Sequence, residues 1–479
     1  MTTTPPAGST PAAHSPSVSP APSEAGPVRR RMRAAVGIIP AVALGLTAAL
    51  MGAPAHAAPV SPAGTMTVTA SGTSESTVED AVGDDQALER GAAQAEIAET
   101  TDTGFYDSPA TIPTTPGTLI RSEKTEFYLD PIKLIKYPAT ATKVLYSSTN
   151  RAGEPTVVSG TVLTPTKAWT GKGTRPVIAY APGTQGIGDH CAPSRTLSVG
   201  MQYEGIGVSD LLNAGYAVVM TDYAGLGTEG IHTYLVREDQ GNAVLDSVRA
   251  AAQVPGTQVT PDSRIALAGY SQGGGASAAA AELAGSYAPE LDVQGAYVGA
   301  APADLTAVGQ NIDGTLYSEF LLYGIAGLME AYSLDPSTVL NEAGMVKHAE
   351  AQENCTIDGV LKHSFIKSAG LTHTGETFAQ TMTSDPQMKA IVQEQSLGAA
   401  GNAPDFPVMV ASSLTDDVIP YTVSRTLAQQ WCKQGTEVRF DTILTPTHLG
   451  GYVAGLPRMQ SYLWATFNNV DTLNACWRL

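Results

Sequence analysis

Arg264-Ile265-Ala266-Leu267-Ala268-Gly269-Tyr270-Ser271-Gln272-Gly273-Gly274-Gly275-Ala276 carries the strongest local signal in the chain. It starts as a short apolar strand, turns through Gly-x-Ser-x-Gly and runs on into an Ala-rich helical segment. A serine on a sharp strand-to-helix turn is a nucleophile elbow, and the strained turn tolerates no bulk two residues either side. Gly269 and Gly273 meet that need, and Gly274, Gly275 and Ala276 let the helix lie close to a sheet. With glycine near a tenth of residues, a chance match somewhere in the chain has a probability of roughly one in three. The strand before the motif and the helix after it supply the specificity.

On either side of it, β-branched apolar runs recur at residues 156–163, 177–180, 216–222, 265–269, 293–298, 408–411 and 438–444. Helical patterns fall between them, at 242–252, 276–284 and 422–431. Continuous apolar strands alternating with helices predict an α/β fold, with a mostly parallel sheet covered on both faces. Residues 304–405 break the alternation with helical patterns and no convincing strand, so a helical cap inserted over the strand ends is expected.

A serine nucleophile needs a base, and the base needs a carboxylate to fix its tautomer. After an elbow of this kind the chain order is Ser, acid, His. Of the histidines beyond residue 57, only His448 follows the late apolar strands; His190 and His232 precede the elbow and read as loop hydrogen-bonders. His348, His363 and His373 fall in the cap and read as solvated surface residues. For the acid, Asp416 and Asp417 compete just past the strand at 408–411. Asp416 is favoured because it stands four residues before Pro420, in a D-x-x-[VI]-P spacing. The oxyanion hole needs two donors. The backbone N–H of Gln272 is one, and the loop 180–186 offers the other, with Thr184 preferred for its extra hydroxyl.

The termini read differently. Residues 1–28 are rich in Pro, Ser, Thr and Ala; Arg29, Arg30, Arg31 and Arg33 follow, then an apolar run over 34–52 and Ala55-His56-Ala57. This reads as an export signal over residues 1–57 with a long basic leader. Three glycines and a proline make the run too weakly hydrophobic for the alternative, a retained anchor. Either the general or the twin-arginine export route fits. Residues 58–104 hold nine acids against Arg90 alone, too polar to bury a core, and read as a disordered pro-segment or linker. The catalytic body is expected over 105–479.

The whole chain carries 27 basic and 45 acidic residues, a net charge of −18, of which 22 and 35 lie beyond residue 104. Nothing supplies a basic footprint for phosphates, which excludes a nucleic-acid partner. Four cysteines allow three disulfide connectivities and are too few for a disulfide scaffold. No CxxC or HExxH occurs, so no metal site is expected.

The loop G-T-Q-G-I-G-D-H-C-A-P-S at 183–194, T-D-Y-A-G-L-G at 221–227, G-Y-S-Q-G, D-D-V-I-P and a late W-C stand in one order. In that order they resemble the secretory lipase family over most of 105–479. The resemblance implies an α/β-hydrolase fold with a helical cap or lid insertion and hydrolysis of carboxylic esters, often long-chain acylglycerols. It implies catalytic Ser271, Asp416 and His448, an oxyanion position at Thr184, and disulfides Cys191–Cys355 and Cys432–Cys476. Within the cap, Leu316, Phe320, Leu321, Leu328 and Met329 fall on or near one helical face. That face either packs on the sheet or lines an acyl-binding slot.

The expectation is therefore an exported serine hydrolase that needs no cofactor and meets an ester or lipid, including one at a lipid–water interface. No transmembrane span is expected in the mature chain, and the oligomeric state is left open. A short-chain or polyester esterase and an acyltransferase share the same acyl-enzyme. A non-catalytic lipid binder on the same fold is the rival of a different class.

Overall fold

The structure, a computed structural model, describes residues 104–479. The segments read as export signal and acidic pro-segment, 1–57 and 58–104, lie outside the described residues except for Gly104.

The strands are β1 (Leu119–Thr125), β2 (Ala139–Thr149), β3 (Pro155–Pro165), β4 (Val177–Ala181), β5 (Ala217–Ala224), β6 (Ile265–Tyr270), β7 (Val293–Gly299), β8 (Val408–Ser413) and β9 (Val438–Ile443). They form one sheet in the order β1-β2-β3-β5-β4-β6-β7-β8-β9. From β5 across to β9 every pairing is parallel, and β1, β2, β3 and β5 pair antiparallel. The central strands β4, β6 and β8 are buried along their whole length, as runs of Val, Ile, Ala and Leu with helices on both faces require.

The first two strands have no counterpart in the sequence reading. Ala139–Thr149 reads as polar, yet eight of its eleven residues are buried. Its polar side chains find partners: Ser148 donates to Asp246 at 2.7 Å, and the Lys143 ammonium lies 4.6 Å from the Phe105 ring centre. Polar residues with satisfied contacts can occupy a covered strand at little cost.

The helices are α1 (Pro193–Thr196), α2 (Gly205–Asn213), α3 (Arg237–Ala251), α4 (Gln272–Tyr287), α5 (Leu305–Ile312), α6 (Glu319–Ala331), α7 (Glu342–Ala351), α8 (Thr356–His363), α9 (Phe378–Ser384), α10 (Pro386–Glu394), α11 (Tyr421–Lys433) and α12 (His448–Phe467). A buried ion pair locks α3 to α4, with Arg237 Nη2 and Nε at 2.8 and 3.0 Å from Glu282 Oε2. The other oxygen of Glu282 accepts from Trp431 Nε1 at 3.0 Å, which brings α11 into the same layer. On the opposite face α12 runs along β6 to β9 and meets α2.

Helices α5 to α10 form the expected helical insertion between β7 and β8. One expectation inside it fails. His348 and His363 are buried, and only His373 is exposed. His363 sits between two carboxylates, with Nδ1 2.5 Å from Glu319 Oε2 and Nε2 2.7 Å from Glu350 Oε2. Hydrogen-bond partners at both ring nitrogens are what allow the imidazole to leave water.

Both disulfides implied by the resemblance are formed. Cys191–Cys355 closes a separation of 164 residues, and Cys432–Cys476 one of 44. The first joins the loop after β4 to the start of α8, where Gly186 and Cys355 also make an isolated antiparallel bridge.

Candidate active site

The elbow at the end of β6 places Ser271 at φ 61°, ψ −124°, a backbone region that costs a non-glycine residue roughly 1–3 kcal/mol. A Cβ on Gly269 would collide with the Gly273 carbonyl, and one on Gly273 with the Ala181 carbonyl. The glycines are therefore dictated by contact between the elbow and the end of β4, which also brings the loop 182–186 beside Ser271. Ser271 opens α4, whose N-terminal N–H groups favour negative charge.

Past β8, Asp416 accepts from the backbone N–H groups of Val418 and Ile419 at 2.9 and 2.8 Å. Both its oxygens then stand 2.9 Å from His448 Nδ1. Asp417 takes a different role, accepting the backbone N–H of His448 at 2.7 Å. Thr447, at φ 67°, turns the chain so that His448 begins α12. His448 Nε2 is buried without a hydrogen-bond partner. The ring lies 4.9 Å, centre to centre, from Tyr270, the residue before Ser271, and the Tyr270 hydroxyl donates to the His448 carbonyl at 2.8 Å.

On the other side of the elbow, the Thr184 hydroxyl is engaged with the Tyr234 hydroxyl at 2.7 Å, where either oxygen can donate. The side chain of Gln272 is turned away into the core, donating to Gln240 at 3.0 Å and to His232 Nε2 at 2.9 Å. Burial pushes His232 down to about 4. It is thus neutral, with Nδ1–H donating to the Ala224 carbonyl at 2.9 Å and Nε2 free to accept. With the Gln272 side chain anchored in this way, its backbone N–H stands in the first turn of α4, directly after Ser271.

His232 is the loop hydrogen-bonder the sequence suggested, though fully buried, whereas Glu204 and Tyr234 were not singled out by sequence. Glu204 had a signal, being the one charged residue in 196–209. It is almost fully buried, and its removal from water pushes it up to about 8.

The hydrophobic positions named in the insertion divide. Leu321, Leu328 and Met329 are buried on α6, Phe320 is half-buried, and Leu316 lies in the turn before the helix. Among the described residues His190, Cys191 and Cys355 have a metal-like grouping, but the disulfide removes both thiolates. No described helix is long and apolar enough to cross a membrane.

Comparison with known proteins agrees with this architecture. Candida antarctica lipase A in its closed state superposes with a TM-score of 0.67 at 24% identity, over 78% of this chain and 87% of that one. The rice cell wall degrading esterase LipA from Xanthomonas oryzae gives 0.58 at 20%, over 74% and 98%. At such identities the likeness speaks for the α/β-hydrolase fold. In sequence, a probable inactive lipase of Mycobacterium tuberculosis is 29% identical over 76% of this chain and 82% of its own length. A secreted triacylglycerol lipase of Malassezia globosa is 26% identical over 73% and 76%. The sequence model of secretory lipases matches residues 190–475, a span from the loop after β4 to the final disulfide that includes Ser271, Asp416 and His448. The chain belongs to the secretory lipase family.

Proposed function

We propose that this chain is an exported serine hydrolase of carboxylic esters, with Ser271 as nucleophile, His448 as base and Asp416 as the orienting acid. The observation that carries the reading is His448, paired through Nδ1 to both oxygens of Asp416 while Nε2 stays buried and unpartnered beside the elbow. Nε2 takes the proton as Ser271 Oγ attacks the ester carbonyl, and Asp416 stabilises the imidazolium. The N–H groups of Gln272 and Thr184 hold the oxyanion. The imidazolium then protonates the departing alcohol, and water releases the acid from the acyl-enzyme.

Acylglycerols are the substrate class we infer, on the support of relatives named as secreted triacylglycerol lipases. In this reading 1–57 is the export signal, 58–104 a pro-segment or linker, and 105–479 the catalytic domain with 304–405 as its cap. Leu321, Leu328 and Met329 are packed into the core, so of the residues named on this face Phe320 and Leu316 are the ones left for an acyl chain to meet. A rate profile from C2 to C18 esters, with and without an emulsion, separates a lipase from a short-chain esterase.

Ser271→Ala is expected to abolish hydrolysis of p-nitrophenyl esters while leaving the circular dichroism spectrum unchanged. Retained hydrolysis removes Ser271 from the mechanism. A second reading, a binding protein that has lost catalysis, is favoured by the relative named as probably inactive. Rapid labelling of Ser271 by a fluorophosphonate decides against it, because only an activated serine reacts quickly.

A further inference from the structure

Three consecutive residues ahead of α2 each grip a different point of the loop after β4. Gln202 Nε2 donates to Gln185 Oε1 at 3.1 Å, and the Tyr203 hydroxyl donates to the Thr184 carbonyl at 3.0 Å. Glu204 Oε2 accepts the Gly183 N–H at 2.9 Å. Gln185 closes the ring, donating through Nε2 to the Gly183 carbonyl at 2.9 Å. From the insertion, Thr356 adds two further bonds, its hydroxyl to the Thr184 carbonyl at 2.7 Å and its N–H to the Gln185 carbonyl at 2.9 Å. A Cβ on Gly183 would meet the Tyr203 hydroxyl first and then the carbonyl of Tyr270, one residue from the nucleophile, so the loop lies close to both the clamp and the elbow. The peptide planes on both sides of Thr184 are thus held by named partners, and with them the direction in which its N–H points.

We infer that Gln202-Tyr203-Glu204 is a positioning clamp for the oxyanion loop, in which Glu204 is the member that responds to pH. The inference rests on the serine-hydrolase reading above. The titratable groups facing Glu204 are phenols: Tyr180 from β4, Tyr203 beside it, Tyr223 from β5 and Tyr452 from α12. None of these supplies a positive charge. The acid is therefore uncharged near neutrality, and the Tyr180 oxygen, 3.1 Å away, can accept its proton. An uncharged carboxyl holds Gly183 without opposing the negative charge that develops one residue away. Once ionised, the same group sets a carboxylate in a low-dielectric site beside the oxyanion, where like charges repel strongly.

The test uses the full protein and p-nitrophenyl butyrate, with kcat and KM measured from pH 5 to 10. Wild type is expected to lose kcat on the alkaline side with a midpoint near pH 8. Glu204→Gln is expected to lower kcat at pH 7 about three-fold and to remove that alkaline loss, with KM changed less than kcat. An alkaline limb unchanged in Glu204→Gln overturns the role of Glu204. If that variant fails to fold, Tyr203→Phe serves instead, because it deletes one donor to the Thr184 carbonyl at an exposed ring. About a five-fold fall in kcat at constant KM supports the clamp, and an unchanged kcat overturns it. A wild type that neither hydrolyses the ester nor labels with a fluorophosphonate overturns the underlying hydrolase reading. Active, labelled wild type with an indifferent Glu204→Gln overturns the clamp alone.

Discussion

Glu204 beside the elbow and Glu319 in the helical insertion are both removed from water, and they are treated in opposite ways. Glu319 meets the imidazole of His363, which a second carboxylate, Glu350, contacts from the other side; Asn354 Nδ2 donates to its remaining oxygen at 3.0 Å. Lys347 stands 2.7 Å from Glu350 and completes a charged chain that reaches the surface. Hydrogen bonds from Lys347 and His363 hold Glu350 down at about 2. Glu204 has donors but faces no cation, and burial drives it up instead. One site tolerates a buried acid by pairing it, the other by leaving it protonated. The pairing suits a joint between α6, α7 and α8, whereas a fixed positive partner beside Ser271 would alter the field at the proposed nucleophile.

The largest expected effect comes from breaking the paired site. Glu319→Ala leaves His363 Nδ1 and the Asn354 amide buried without their partners, and should cost roughly 3–5 kcal/mol in urea unfolding. Glu204→Gln at pH 6, where the natural acid is already uncharged, should cost about 1 kcal/mol or less. Equal losses at the two sites would show that the two buried acids are held alike.

A smaller effect separates the sites by pH. A carboxyl with a folded-state value near 8 and an ordinary value of 4.5 binds a proton on folding throughout that window. Its contribution to stability therefore declines as pH rises, by at most about 1.4 kcal/mol per unit, and the decline ends near pH 8. Asp222 and Asp239, both pushed up to about 6 by burial, act with the same sign in the lower part of the window. Thermal unfolding of wild type and Glu204→Gln should therefore diverge chiefly between pH 6 and 8, with the variant losing less. Parallel Tm curves across that interval would refute it.

The same contrast explains what could be read from sequence. The strand-turn-helix around Ser271 is local, so Gly269, Gly273 and the strand before them announce themselves in consecutive residues. His448 and the Asp416–Asp417 pair follow from chain order, and the structure separates the two acids by what each touches. Long-range pairing carries no such local mark. Ala139–Thr149 looks polar because its partners, Asp246 and Phe105, are distant in sequence. His363 looks solvated because Glu319 and Glu350 lie 44 and 13 residues away, on other helices. Glu204 shows only as an isolated charge, and its contact with Gly183 appears once α2 is folded against β4.

The smallest effect tests the unpaired site from its partner's side. Tyr180 is the phenol in contact with Glu204, and its hydroxyl favours the ionised acid by donating to it. Tyr180→Phe removes that donor and leaves the ring in place. At pH 6 the loss should be about 1 kcal/mol, the worth of one buried hydrogen bond. At pH 9 it should be larger, because a carboxylate then keeps fewer donors than before. The alkaline fall in stability consequently moves to higher pH and becomes deeper, opposite in sign to the effect of Glu204→Gln. A Tyr180→Phe variant whose stability deficit is the same at pH 6 and pH 9 would mean that Glu204 does not change charge between them, and the difference between the two buried glutamates would then lie in packing alone.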